Sequence, residues 1–285
     1  IENNINENWE YGENGLSENS SITSEFIDKH LDEDWCWGSL SYNLIINEDF
    51  FKRHIDKWCW YNLSSNPSIT PEIIKKNITQ PWVWNEVSRN YSITKKFVEE
   101  YKNKEWNWGE YGLSSHPLIS LDLYEKFISK PWDFSVNGLS GNPYIPLELV
   151  EKYINKKWIW GDGGLSSNPA ITPEFVEKNL NKPWNWGKFG LSSNPSITQE
   201  FIEKNVNKDW HWGHSGLSRN PVITPEFIEK HIDKSWSWGM YGLSDNPSMT
   251  AEFIERNIDK PWEWGYKTWG LSSNLFLKDD YFLSK

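Results

Sequence analysis

The chain has 285 residues, 24% of them charged, and a net charge of −11 at pH 7. No apolar run approaches the ~18–20 residues of a membrane-spanning helix, and so acidic a chain is ill suited to wrapping a phosphate backbone, which is bound through many Lys and Arg contacts. Length alone would allow one or two globular domains, but 21 tryptophans in a regular rhythm point to a tandem repeat instead.

Trp9, Trp35, Trp58, Trp82, Trp106, Trp132, Trp158, Trp184, Trp210, Trp236 and Trp262 follow one another at intervals of 26, 23, 24 and 24 residues, then of 26 six times. Two residues after each comes a second aromatic, as in Trp184-Asn185-Trp186. About eleven repeats of 23–26 residues are therefore expected to stack as an elongated all-α solenoid, one tandem-repeat domain over residues 1–285. Residues Ile1 to Asn8 match the end of a preceding repeat, so the chain is expected to begin inside a helix of a longer array. Ser273 to Phe282 align with Ser193 to Ile202 and then stop, as in a truncated capping repeat.

Within a repeat the first predicted element is the stretch from W-x-W to L-S. The distance from the first Trp to the Leu is five residues at Trp58, seven at Trp184 and nine at Trp262. Two added residues would rotate a continuous helix by about 200°, so an unbroken helix cannot run through every repeat. The insertions are glycine-rich, as in Gly187-Lys188-Phe189-Gly190, and read as a loop. A turn after W-x-W is expected, then a second very short helix around L-S-x-N that ends at Asn-Pro, because proline disfavours helix in the residue before it. A leucine-rich-repeat-like strand at L-S-x-N, giving an α/β solenoid, is the alternative.

The next element, Thr172 to Leu180, carries a helix start. Thr172 can cap free N–H groups, Pro173 sits where its missing donor costs nothing, and Glu174 faces the positive end of the helix dipole. The cap slot holds Thr, Asn or Ser in nine repeats and fails at Pro146 and Lys278. Ile171, Phe175, Val176 and Leu180 form the expected inward stripe. Two turns do not persist alone in water. A buried aromatic hides roughly 150–250 Å², worth roughly 4–6 kcal/mol before entropy is subtracted, so one or two rings per repeat can hold such a helix in place.

Cys36 and Cys59 fill the same slot of neighbouring repeats. Stacked helices would separate them by roughly 8–10 Å, beyond the ~7 Å a disulfide tolerates, so free thiols and a reducing compartment are expected. The pattern W-x-W…L-S-x-N-P-x-I-T-x-E-F-I-E-K-N resembles the tandem Trp-rich repeats of uncharacterised proteins from giant DNA viruses of amoebae, over the whole chain. The G-x-x-G insertion makes these repeats longer than that family's. The resemblance implies no particular activity. It does imply a viral protein acting in the cytoplasm of an infected host cell or packaged in a virion.

Nothing in the sequence resembles a Ser-His-Asp set, a phosphate loop or a nucleotide fingerprint, and catalysis needs one singular constellation where a repeat spreads its side chains evenly. A non-enzymatic role with no cofactor and no metal is expected. His211 and His214 form H-W-G-H but straddle a glycine turn with no third ligand recurring nearby. His30, His54 and His231 share the helix-end slot that Asn179 and Asn205 fill elsewhere, which suits a polar role at a helix C-terminus. The tryptophans read as a packed spine; one exposed ring per repeat, forming a ladder for sugars, is the competing reading. If recurring slots are packing, specificity belongs to the slots that vary. Between the paired aromatics these are Asn107, Asp133, Ile159, Asn185, His211, Ser237 and Glu263, and in the loops Lys188, Phe189, His214, Ser215, Met240 and Tyr241. Such positions suit a binding face on a scaffold for protein partners, with self-association or a glycan as the other occupants.

Overall fold

The computed structural model describes residues 9–265 and 270–271. The expected preceding helix at Ile1 to Asn8, the truncated repeat after Leu271 and the cap slot at Lys278 all lie outside the described residues. Among the described residues there are thirteen α-helices, most of six residues, and no strand. The chain divides into two compact units, Ile1–Asp133 and Phe134–Lys285. The first holds α1 (Ser24–Lys29), α2 (Trp37–Asn43), α3 (Glu48–Arg53), α4 (Trp60–Ser65), α5 (Pro71–Lys76), α6 (Trp84–Val87), α7 (Lys95–Glu100) and α8 (Leu121–Lys126). The second holds α9 (Leu147–Lys152), α10 (Pro173–Lys178), α11 (Gln199–Lys204), α12 (Pro225–Lys230) and α13 (Ala251–Arg256).

The capped helix forms as its sequence dictates. In nine repeats the cap side chain accepts a hydrogen bond from the backbone N–H three residues on, as Thr172 does from Phe175 at 3.3 Å. Pro146 cannot, and α9 begins without such a bond. The stripe is shorter than expected. Ile171, Phe175 and Val176 are buried, but Leu180 is 52% exposed. Asn179 closes α10 outside helical geometry, at φ −125 and ψ 33, so the chain has left the helix before Leu180 and that side chain no longer falls on the buried face. The Asn179 side chain donates back to the Phe175 carbonyl at 2.9 Å, and Asn77, Asn205 and Asn257 do the same in their repeats.

The segment around L-S takes two forms. In four of the long repeats of the second unit it is a three-residue 3-10 turn: Leu165–Ser167, Leu191–Ser193, Leu217–Arg219 and Leu243–Asp245. Loop closure explains the glycines. The Leu191 N–H donates to the Asn185 carbonyl at 2.8 Å, which brings the chain so close that a Cβ on Gly190 would overlap that oxygen. In the short repeats no turn follows W-x-W. There α2, α4 and α6 start at the second tryptophan itself (Trp37, Trp60, Trp84) and run toward or through L-S. With five residues from Trp to Leu there is nothing to loop out, so the shortest way to keep the Leu buried is a helix. The strand of the leucine-rich alternative is absent from the described residues.

Two polar ladders join consecutive repeats inside each unit. The buried Ser192 hydroxyl donates to the Trp186 carbonyl at 2.5 Å and accepts the His211 N–H of the next repeat at 2.9 Å; Ser41, Ser64, Ser88, Ser218 and Ser244 bridge the same way. Buried asparagines form the second ladder. Asn194 donates to the Asn168 carbonyl at 2.9 Å, and Asn220 and Asn246 continue it at 3.0 Å each. An unpaired buried carbonyl is costly, and these amides supply donors to buried carbonyls of the preceding repeat.

Candidate functional site

The tryptophans account for most of the remaining packing. From Trp35 to Trp262 every first-position indole is only 5–8% exposed. In nine of these ten its N–H donates to the carbonyl of the residue five before it, as Trp184 does to Asn179 at 2.8 Å; Trp58 reaches back seven, to Phe51. Trp37, Trp84, Trp160, Trp186, Trp212 and Trp238 stack on the helix aromatic of their own repeat and meet the next first-position indole edge-on: Trp186 lies 5.8 Å from Phe201 and 5.2 Å from Trp210. A lysine near the end of the same repeat then sits over such a ring, Lys182 over Trp160 at 5.1 Å and Lys208 over Trp186 at 5.3 Å. Trp264 departs from this pattern at 48% exposed.

The variable slots singled out in the sequence are at least partly accessible: Asn107, Asp133, Asn185, His211, Ser237, Lys188 and Tyr241 are half-buried, while Glu263, Phe189 and His214 are exposed. Several are tied to their own loops. The Asn107 and Asn185 carboxamides accept the N–H groups of Gly109 and Gly187 at 2.9 and 2.7 Å, and Glu263 accepts from Gly265 at 3.2 Å. The His211 ring bonds the His214 carbonyl at 3.0 Å, and His214 packs edge-on against Tyr241, so the two histidines do not converge on a common point. Among the described residues no three His, Cys, Asp or Glu side chains gather as a metal site would require. Cys36 and Cys59 are free and half-buried. Of the histidines at helix ends, His54 bonds Asp28 at 2.8 Å, whereas the rings of His30 and His231 lie tilted against Phe26 and Phe227 at 4.5 and 4.6 Å.

The unit Ile1–Asp133 holds a feature that the repeat pattern does not predict. Where α2, α4 and α6 replace glycine loops, a groove of about 560 Å³ opens across four consecutive repeats. Its walls include Tyr42, Tyr61, Tyr91 and Tyr111, which are 62, 55, 70 and 54% exposed. In the long repeats the position before the L-S leucine must be glycine, as at Gly112; in the short ones it lies in a helix and carries Ser39, Asn62 or Glu86. Glu86 is buried, and its carboxylate takes the Tyr61 phenol, whose pKa is raised by that hydrogen bond, and Arg89 at 3.4 Å. Arg89 in turn lies over the Tyr111 ring at 6.0 Å. Tyr111 is held at φ +54, a left-handed conformation uncommon for a bulky residue.

His116 closes one end of the groove and stands in the asparagine slot of its repeat. It is buried; the Leu118 N–H donates to its Nδ1 at 3.1 Å, which leaves the proton on Nε2 to reach the Asn90 carbonyl at 3.1 Å. Burial lowers its pKa below the ordinary imidazole value. None of the thirteen varying positions from Asn107 to Glu263 lines the groove. The signal that could have found it was the shrinkage of three repeats to 23 or 24 residues, together with Tyr42 and Tyr91 in slots that hold no tyrosine elsewhere.

No family model matches the chain, and no curated protein or solved structure matches it.

Proposed function

We propose that this chain is a non-enzymatic repeat scaffold, its repeats stacked as a solenoid, that binds a protein partner. The observation that carries the reading is the tyrosine-lined groove of the unit Ile1–Asp133. Recurrent side chains elsewhere are consumed in packing: serines and asparagines in ladders, first-position indoles in the spine, lysines over the second-position rings. Exposed tyrosine is what protein interfaces favour, since a rigid ring contributes area at small entropic cost and its hydroxyl bonds a partner. What supports this reading over a tryptophan ladder for sugars is that the described indoles up to Trp262 are packed against other side chains. The resemblance of the repeats to those of giant-virus proteins sets such a partner in an infected cell or a particle.

The test is an affinity measurement. A partner captured on the chain and then purified should bind wild type and lose at least tenfold in affinity with the Tyr42→Ala/Tyr91→Ala double variant, whose melting midpoint should be unchanged. Equal affinity for both forms would remove the groove from the interface. Groove-dependent binding to a glycan array, with no protein ligand, would replace the proposal.

A further inference from the structure

Resting on that reading, we propose that the tyrosine groove takes an extended, proline-rich peptide in the polyproline II conformation, flanked by Lys or Arg. The first argument is shape. Tyr42, Ser65, Arg89 and Ser115 line the groove and occupy the same slot, immediately after the L-S serine, in four consecutive repeats, so the groove runs along the repeats and suits an extended chain. Polyproline II advances about 3.1 Å per residue, roughly twice the 1.5 Å of an α-helix, so a short segment reaches along all four.

The second argument is hydrogen-bond complementarity. A polyproline II segment has no internal hydrogen bonds, and proline has no N–H, so the ligand offers carbonyls in need of donors. The groove presents the phenols of Tyr42, Tyr91 and Tyr111 and the Arg89 guanidinium. Its one lining carboxylate, Glu86, already takes Arg89 and Tyr61. Tyrosine rings and Pro67 supply the flat apolar walls on which proline rings pack. Charge sets the flanks: Glu86 and Arg89 offset each other inside the groove, while the chain as a whole carries −11, a field that draws lysine and arginine.

The experiment is selection of a random displayed peptide library on the immobilised full chain, with counter-selection on the Tyr42→Ala/Tyr91→Ala variant. The expected peptides carry prolines at three-residue spacing beside Lys or Arg. They bind wild type, lose at least tenfold in affinity on the variant, and weaken as salt is raised. Groove-dependent peptides without proline overturn this inference and leave the protein-binding scaffold standing. A selection that yields no groove-dependent peptide overturns both, and a parallel titration with chitohexaose that saturates on wild type but not on the variant identifies the occupant as a sugar.

Discussion

Replacing Asn194 by alanine tests whether the asparagine ladder joins the repeats. Asn194 is fully buried; its amide donates to the Asn168 carbonyl at 2.9 Å, to Ser166 at 3.2 Å and to Ile171 at 3.3 Å, and its oxygen accepts the Ser196 N–H at 2.9 Å. Alanine takes the donor from the Ser166 carbonyl, costing about 1–3 kcal/mol, and one of two donors from the Asn168 carbonyl, which keeps the Ile171 N–H at 3.0 Å and loses about 0.5–1.5 kcal/mol. Ser196 is half-buried, where water can replace the lost acceptor, so it adds little. The expected cost is about 1.5–4.5 kcal/mol, a large part of the ~5–15 kcal/mol that holds a domain together. The neighbouring Ser193 is the control. It is exposed and donates only to Gly190 at 3.0 Å, so Ser193→Ala should stay within about 0.5 kcal/mol. Asn194→Asp sharpens the test, because it keeps the shape but turns a carboxylate oxygen toward carbonyls; it should cost at least as much as alanine at neutral pH. Urea unfolding followed by both circular dichroism and tryptophan emission measures the midpoints and shows whether the transitions coincide. A cost for Asn194→Ala below about 1 kcal/mol, or no larger than for Ser193→Ala, would refute the ladder as a source of stability.

Other consequences are equally direct. Gly190→Ala, whose Cβ would overlap the Asn185 carbonyl, should lower the unfolding free energy measured in urea by about 2 kcal/mol or more, whereas Gly161→Ala, with nothing within 4 Å, should be close to neutral; equal effects would contradict the loop geometry. The lowered pKa of His116 means that the unfolded chain takes up a proton first as pH falls. Stability from neutral His116 is thus full above ~6.5, the ordinary imidazole value, and is lost as pH drops through that value toward the lower folded one. His116→Asn restores the ladder amide and should flatten the melting midpoint over that window; an unchanged slope would exclude His116 as its source. Native tryptophan emission should be blue-shifted and poorly quenched by acrylamide, because the first-position indoles are at most 8% exposed. A readily quenched spectrum would mean that the spine is open in solution.

The sequence by itself determined the repeat, its period and the capped helix, because each follows from local chemistry; a strand at L-S-x-N stayed open until the structure placed a short helix or a 3-10 turn there. Thr172 and Pro173 start a helix wherever they stand, and a Gly-x-x-Gly insertion cannot continue one. The sharing of one polar slot by His30, His54, His231, Asn179 and Asn205 was legible for the same reason. Tertiary structure decided what depends on neighbouring repeats. Leu180 looked buried by spacing, but where a helix stops is settled by its contacts, and Asn179 ends α10 one residue too early. Whether Ser192 and Asn194 are surface decoration or ladder rungs depends on backbone N–H and carbonyl groups 19–28 positions away in the chain. The groove lay furthest from view, since Tyr42, Tyr61, Tyr91 and Tyr111 occupy different slots of four repeats and only stacking brings them to one place. A periodic pattern displays what every repeat shares; a binding site arises where the period breaks, and its shape exists only once the repeats are packed.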